Sequence, residues 1–426
     1  MNTAHSAVTN PQDSRIDVAE VVEFCSALIR FNTTNHGGAD GADERFAANY
    51  IADRLREVGL QFTLFEPAPR RVSVICRIAG EDQSLPGLVI HAHLDTVPVT
   101  ESEWSVDPFG GEVRDDAVWG RGAIDMKNVC AMMLAAARSI ACRGVRPRRD
   151  IVFVWFADEE AGGEWGAQAL LRDRPDLIAG CDTAISEVGG FSVELPNGKR
   201  GYLLETEQKG VLWIRLTANG RGGHGSLPHT DAAPASLVSG LSSILTHDWA
   251  TNPADELLAS IPAVPGMQRW IDAATATTCN LTHLDANGSS NVVATRATAD
   301  LDCRTLVADA DSILDRIQNL VANTATVTVI REDAPTTTPL HPEFESAALN
   351  ALRMHDPDPI LIPFRMPIGS DNRFFRAHGF KAYGFIPMQI PPEFDLASMF
   401  HGVDEHIPTT SLTFGTDVLT HLLCNY

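Results

Sequence analysis

The sequence predicts an α/β protein: a mixed sheet covered by helices, with a smaller α+β unit inserted in it. Gly87 to His93 and Asp150 to Ala157 are almost unbroken apolar runs, the pattern of strands buried on both faces. Helical segments alternate with these runs, which places helices on both sides of the sheet. Near residue 205 the texture changes to period-two alternation, and the apolar α/β texture resumes after about Thr338. The boundaries are set at 1–205 and 328–426 for the two parts of the first domain and 206–327 for the insertion. A length of 426 residues fits two or three domains.

Each element has its own signal. Residues 1–17 are polar. Val18 to Arg30 has helical apolar spacing, and Asn32 to Asp43 is Gly- and Asp-rich like an exposed loop. A helix over Glu44 to Val58 is stopped by Gly59 in the C-terminal capping position. Arg71 to Ile78 reads as a strand, and Asn128 to Ala141, rich in small residues, as a helix. Within the insertion, Val211 to Ala218 alternates, and a glycine-rich turn precedes a helix over Ala233 to Leu245. A long loop rich in Pro, Asp and Ala leads to alternating stretches at Asn291 to Arg304 and Thr324 to Arg331. The closing segment holds apolar runs at Ile360 to Pro363 and Ala382 to Ile386 and a helix near Ser411 to Leu423.

Charge narrows the function. With 33 Lys and Arg against 55 Asp and Glu, the formal charge is 33 − 55 = −22, which disfavours nucleic acid and anionic membranes as partners. An anionic ligand therefore needs a local cation. The eight cysteines form no C-x-x-C pair and lie mostly in apolar runs, as buried thiols of a reducing compartment do. With no secretory signal and no run of about 18 apolar residues, a cytoplasmic protein is expected.

The strongest chemical signal is His91-Ala-His93-Leu-Asp95-Thr-Val-Pro98 at the end of a buried strand. Period-two geometry puts His91, His93 and Asp95 on one face, at the sheet edge where open α/β proteins form their crevice. A carboxylate two residues from a histidine can fix the imidazole tautomer while the ring binds a metal. His91 needs no such role, since one ligand from this segment suffices. Next, Trp119-Gly-Arg-Gly-Ala-Ile-Asp125-Met-Lys127 is a glycine-rich turn with an acid at the mouth of a helix. The acid argues against a phosphate loop. Gly220-x-Gly222-x-x-Gly225 matches a dinucleotide fingerprint literally, but Pro228 follows where a helix should start.

Ala157-Asp158-Glu159-Glu160 ends another apolar strand. Neighbouring strand residues face opposite ways, so Glu159 and Glu160 can divide two tasks, proton acceptance and metal binding. Glu187, in Ala184-Ile-Ser-Glu187-Val-Gly-Gly, and His401, in His401-Gly-Val-Asp-Glu405, also follow strand-like or turn segments. Ligands converging from separate strand ends suit a two-metal hydrolytic centre, with Asp125 able to bridge the ions. Neither a G-x-S-x-G elbow nor an H-E-x-x-H helix is present.

In this order, His93-x-Asp95-Thr-Val-Pro, Gly-Arg-Gly-Ala-x-Asp125-x-Lys127, Asp158-Glu159-Glu160, Glu187, Gly-Gly-His224-Gly-Ser-x-Pro228 and His401-Gly resemble the M20 metallopeptidase family. The resemblance runs from about residue 20 to the C-terminus. It implies a phosphorylase/hydrolase-like catalytic domain with an inserted α+β lid, through which the protein forms a homodimer. It places His93, Asp125 and Glu187 on one metal and Glu160, His401 and Asp125 on the other, two zinc ions per chain, with Co or Mn able to substitute. Glu159 is implied as the general base, and Asp95 as the partner behind His93. His224 is implied as the lid residue that stabilises the oxyanion, usually in the neighbouring subunit's site. Asn291 takes the place of a substrate-contacting asparagine. Arg304, in Asp300-Leu-Asp302-Cys-Arg304, resembles the clamp for a substrate carboxylate. Gly369-Ser370-Asp371-Asn372 resembles the turn that helps hold that carboxylate. Glu at 187 places the chain with the acylase and carboxypeptidase branch.

The expected function is hydrolysis of an amide bond in N-acyl amino acids or short peptides with a free carboxylate. The alternatives are a strict dipeptidase or carboxypeptidase, and a non-catalytic binding protein on the same fold. The presence of every ligand and of Glu159 argues against the last of these.

Overall fold

The computed structural model describes residues 18–38, 42–195, 198–249, 268–286, 289–307 and 309–426. The polar leader and most of the long Pro-, Asp- and Ala-rich loop lie outside them. The chain divides into two compact units: Met1–Leu204 with Pro339–Ile362 and Ser370–Tyr426, and Glu205–Thr338 with Pro363–Gly369.

In the first unit the sheet order is Phe62–Ala68, Arg71–Ile78, Ile151–Phe156, Gly87–His93, Cys181–Ser186, Lys381–Gly384, then Arg200–Gln208, whose chain continues into the second unit. The four strands Ile151–Phe156, Gly87–His93, Cys181–Ser186 and Lys381–Gly384 run parallel, while Arg71–Ile78 and Phe62–Ala68 are antiparallel additions at one side. The sheet is therefore mixed, as expected. Gly87–His93 and Ile151–Phe156 are buried at every position, which explains their lack of polar alternation.

Helices cover both faces. The helix Lys127–Cys142 is buried over most of its length, and its Ala, Met and Cys side chains let it pack closely on the sheet and on Val18–Ile29 and Thr409–Asn425. On the other face Ala167, Leu170, Leu171 and Phe375 close a core with Val89, Val152, Val154 and Ala184. Helix Arg45–Glu57 ends where expected: Gly59 takes φ +77° and donates its N–H to the Arg56 carbonyl at 3.0 Å.

The second unit is a four-stranded antiparallel sheet in the order Thr278–Asp285, Arg296–Thr305, Gly210–Asn219, Thr326–Asp333. Helices Ala233–Leu245 and Ile313–Val321 bury Leu237, Leu241, Ile313 and Ile317 against Leu212, Ile214, Leu216 and Leu301 of the sheet. The expected exit from the insertion at residue 327 falls inside the last strand, whose pairing to Gly210–Asn219 runs to Asp333. The alternating stretch Asn291 to Arg304 divides into Val292–Val293 and Arg296–Thr305. Thr278–Asp285 escaped sequence analysis because this edge strand is largely exposed and lacks apolar alternation. Among the described residues, no helix is long and apolar enough to cross a membrane.

The ends of the parallel strands fix the site, so the central strand should tolerate little. Ile90, wholly buried opposite Phe153 and Ile185, is predicted to cost about 2–5 kcal/mol when changed to Ala. The exposed Leu284→Ala is predicted to stay within about 0.5 kcal/mol. Denaturant unfolding of both variants checks this, and equal losses would contradict the assigned core.

Candidate metal centre

Three of the parallel strands deliver acids or imidazoles at their C-terminal ends. His93 closes Gly87–His93, Asp158 to Glu160 follow Ile151–Phe156, and Glu187 follows Cys181–Ser186. Asp125 comes from the turn before helix Lys127–Cys142, and His401 from the loop before the strand His406–Pro408. This convergence at strand ends is where an open α/β sheet forms its crevice.

The Asp125 carboxylate stands between two imidazoles. Its Oδ1 lies 3.0 Å from His93 Nε2 and its Oδ2 lies 3.3 Å from His401 Nε2. His93 Nε2 is also 3.6 Å from Glu187 Oε2, and His401 Nε2 is 3.2 Å from Glu160 Oε2. His93, Asp125 and Glu160 bring ligand atoms within 4.8 Å of one another, as do His93, Glu159 and Glu187. Ligands about 2.1 Å from a tetrahedral ion stand about 3.4 Å apart, so these spacings fit a cation between them. Glu160 Oε1 is buried with no hydrogen-bond partner, an orphaned acceptor that a cation would satisfy.

Burial and crowding set the charges of these groups against one another. Burial, reinforced by Asp125, pushes Glu160 up to about 8. Burial likewise raises Glu159 and lifts Glu187 well above the usual carboxylate range. Burial alone would raise Asp125, but hydrogen bonds from His401 and His93 hold it below that range. His93 shows the opposite balance: burial pulls it down, and Glu187, Asp125 and Asp95 together hold it well up.

A buried frame holds these groups. The His93 Nδ1–H donates to the Asp95 carbonyl at 3.0 Å, which aims Nε2 at Asp125 and Glu187, where it would bind a cation once deprotonated. The Asp95 carboxylate accepts from the Glu159 and Glu160 backbone N–H groups at 3.1 and 3.0 Å and from Asn35 Nδ2 at 2.8 Å. Asn35 also donates to Asp158, while the wholly buried Arg71 pairs with Glu44 at 2.7 Å and Asp158 at 3.4 Å. Glu405, also wholly buried, accepts from the N–H groups of Gly122, Ile124 and Asp125 and from Arg121 Nη1 at 2.7 Å. It shapes the turn that presents Asp125, which ends in a cis Asp125–Met126 peptide. Arg373 Nη1 approaches Glu159 Oε1 at 3.8 Å.

Of the residues singled out in the sequence, the first unit brings together His93, Asp95, Asp125, Glu159, Glu160, Glu187 and His401. His91 stays out of the cluster: burial pulls its pKa down to about 3, its Nε2 meets Asn372 Oδ1, and its ring stacks on Phe375. Ser370 is buried in the same unit, and its carbonyl accepts from Arg373 Nη1 at 2.9 Å. His224, Asn291, Arg304 and Gly369 belong to the second unit. His224 is exposed, with Nδ1 2.7 Å from Ser226 Oγ, and the Asn291 carbonyl accepts from the Gly225 N–H. The guanidinium of Arg304 forks onto the Asp302 carboxylate at 2.7 and 2.9 Å. Sequence analysis missed Glu405, Asn35, Arg71 and Arg373. Glu405, only four residues after His401, carried the sole local hint.

The family model of peptidase family M20/M25/M40 matches residues 89–425. Aminoacylase-1 of Pongo abelii is 28% identical over 390 residues, covering 88% of this chain and 89% of its own. In fold, the chain resembles an M20 family metallo-carboxypeptidase from Sulfolobus solfataricus, with TM-score 0.74 and 17% identity over 95% of this chain and 98% of that one. Human carnosine dipeptidase 1 gives TM-score 0.73 and 14% identity over 95% of each chain.

Two predictions test the centre. Glu160 must lose its proton to bind a cation, so zinc affinity is predicted to fall as the pH drops below about 8, with more protons released per ion. Calorimetric titration in buffers of different ionisation enthalpy measures both, and pH-independent binding would contradict the arrangement. Glu405→Gln, which turns an amide N–H₂ toward donors, is predicted to weaken zinc binding about 10- to 100-fold in the same titration.

Proposed function

The chain belongs to peptidase family M20/M25/M40 and is a metal-dependent hydrolase of amide or peptide bonds, and from that premise we propose that it deacylates N-acyl amino acids through a two-zinc centre. The observation that carries this reading is the Asp125 carboxylate, whose two oxygens face different imidazoles. His93, Asp125 and Glu187 are assigned to one ion, and Glu160, His401 and Asp125 to the other. The likeness to aminoacylase-1 over 88% of the chain favours an N-acyl amino acid with a free carboxylate as substrate. Zinc suits the imidazole and carboxylate donors.

Cations held there supply an acidified water and a polarised substrate carbonyl. Glu159 takes the proton of the attacking water and returns it to the leaving nitrogen. Its burial raises its pKa and so brings it nearer to neutral, where a proton carrier works best. Glu159 lies close enough to His93 and Glu187 to be counted with the ligands. Arg373, 3.8 Å from its carboxylate, partly offsets the rise from burial and favours the charged form that accepts a proton. Asp95 acts behind His93, fixing its tautomer and the turn that carries Glu159 and Glu160. His224 is assigned to the oxyanion, from the partner subunit of a homodimer. Asn291, Arg304, Gly369 and Ser370 are assigned to the substrate. For Arg304 this requires exchanging Asp302 for the substrate carboxylate.

The test is hydrolysis of a mixed panel of N-acetyl, long-chain N-acyl and N-succinyl amino acids and dipeptides by zinc-loaded protein, followed by mass spectrometry with a chelator control. Chelator-sensitive cleavage of N-acyl amino acids is expected, whereas cleavage of dipeptides alone would replace this reading with a dipeptidase. Glu159→Gln is predicted to keep its metal content and lose about 10²- to 10⁴-fold in turnover. A fully active variant would remove Glu159 from the chemistry.

A further inference from the structure

Two of the eight cysteines face each other across the sheet of the second unit. Cys279 lies on the edge strand Thr278–Asp285 and Cys303 on its neighbour Arg296–Thr305, and the antiparallel register sets them directly opposite. Both point to the helix-covered side: Cys303 belongs to the buried core there, and the half-buried Cys279 packs against it. Their Sγ atoms are 2.8 Å apart. Directly opposed residues of an antiparallel pair have Cα separations of about 4.5 or 5.5 Å, and both values lie within the span of about 4.4 to 6.8 Å that a disulfide bridges. The strands need not move for the sulfurs to join.

We propose that Cys279 and Cys303 are an oxidisable pair that closes to a cross-strand disulfide on meeting a small-molecule disulfide. Cys279, the more accessible sulfur, attacks one sulfur of the oxidant, so that one thiol leaves and a mixed disulfide remains on Cys279. Cys303 then attacks the Cys279 sulfur and displaces the second thiol. The two cysteine protons end on the two released thiols, and the oxidant takes up the two electrons. The order follows from the environment: the hydrogen bond with Cys279, and then burial, hold the Cys303 thiol protonated until Cys279 is capped. The bond joins residues 24 apart in sequence and ties an edge strand with exposed Leu281 and Leu284 to its neighbour.

The experiment uses the full-length protein, reduced, treated with oxidised glutathione, alkylated with iodoacetamide and digested without reductant. Mass spectrometry is expected to find the Cys279 peptide linked to the Cys303 peptide, reversibly with dithiothreitol. The oxidised protein is expected to melt at a higher temperature than the reduced protein. Cys303→Ser should retain glutathione on Cys279, and in Cys279→Ser the buried Cys303 should stay unmodified. Exposed Cys142 reports that the oxidant acted. Glutathione on Cys142 with Cys279 and Cys303 both alkylated and unlinked would overturn the proposal, as would linkage found only after the protein is unfolded in urea.

Discussion

The structure is organised around an electrostatic conflict. Asp125, Glu159, Glu160 and Glu187 crowd together with their side chains largely buried, beside the buried His93 and the exposed His401, and like charges at such range repel strongly. Two outcomes relieve the conflict: protonation, toward which burial pushes Glu160 and Glu187, or cations, which the spacing and the orphaned Glu160 oxygen accommodate. Family membership selects the second. These side chains form a cage whose spacing and donor set suit metal cations.

Such a cage would collapse or disperse without a rigid frame. Asp95 and Glu405 provide it from opposite sides. Each is a wholly buried carboxylate satisfied mainly by backbone N–H groups, which lock loop geometry more tightly than side-chain contacts do. Asp95 ties the His93 strand to the Glu159 turn, and Asn35 and Arg71 extend the network to the neighbouring strand. Glu405 ties the Asp125 turn to the segment that carries His401, since Arg121 bonds both the Glu405 carboxylate and the His401 carbonyl. Breaking a buried charge pair of this kind by removing one partner costs about 3–5 kcal/mol, so the frame doubles as a stability element.

Much of this was legible in the sequence, for physical reasons. The central strands are buried on both faces and therefore read as unbroken apolar runs, and the candidate ligands His93, Glu160 and Glu187 follow those runs. Period-two alternation put His91 and His93 on one face, while the separation of candidate ligand from packed histidine needed the Phe375 and Asn372 contacts. Arg71 and Asn35 were illegible because their roles arise from partners tens of residues away, with no local pattern to mark them. The edge strand Thr278–Asp285 was missed because exposure removes the hydrophobic signal, and with it the facing of Cys279 and Cys303 stayed hidden.

The cage account is tested most directly by X-ray anomalous scattering at the zinc edge from crystals grown with zinc. The account predicts two peaks, one between His93 and Glu187 and one between His401 and Glu160, with one Asp125 oxygen directed at each. A single peak away from Asp125, or none at full zinc loading, would contradict it.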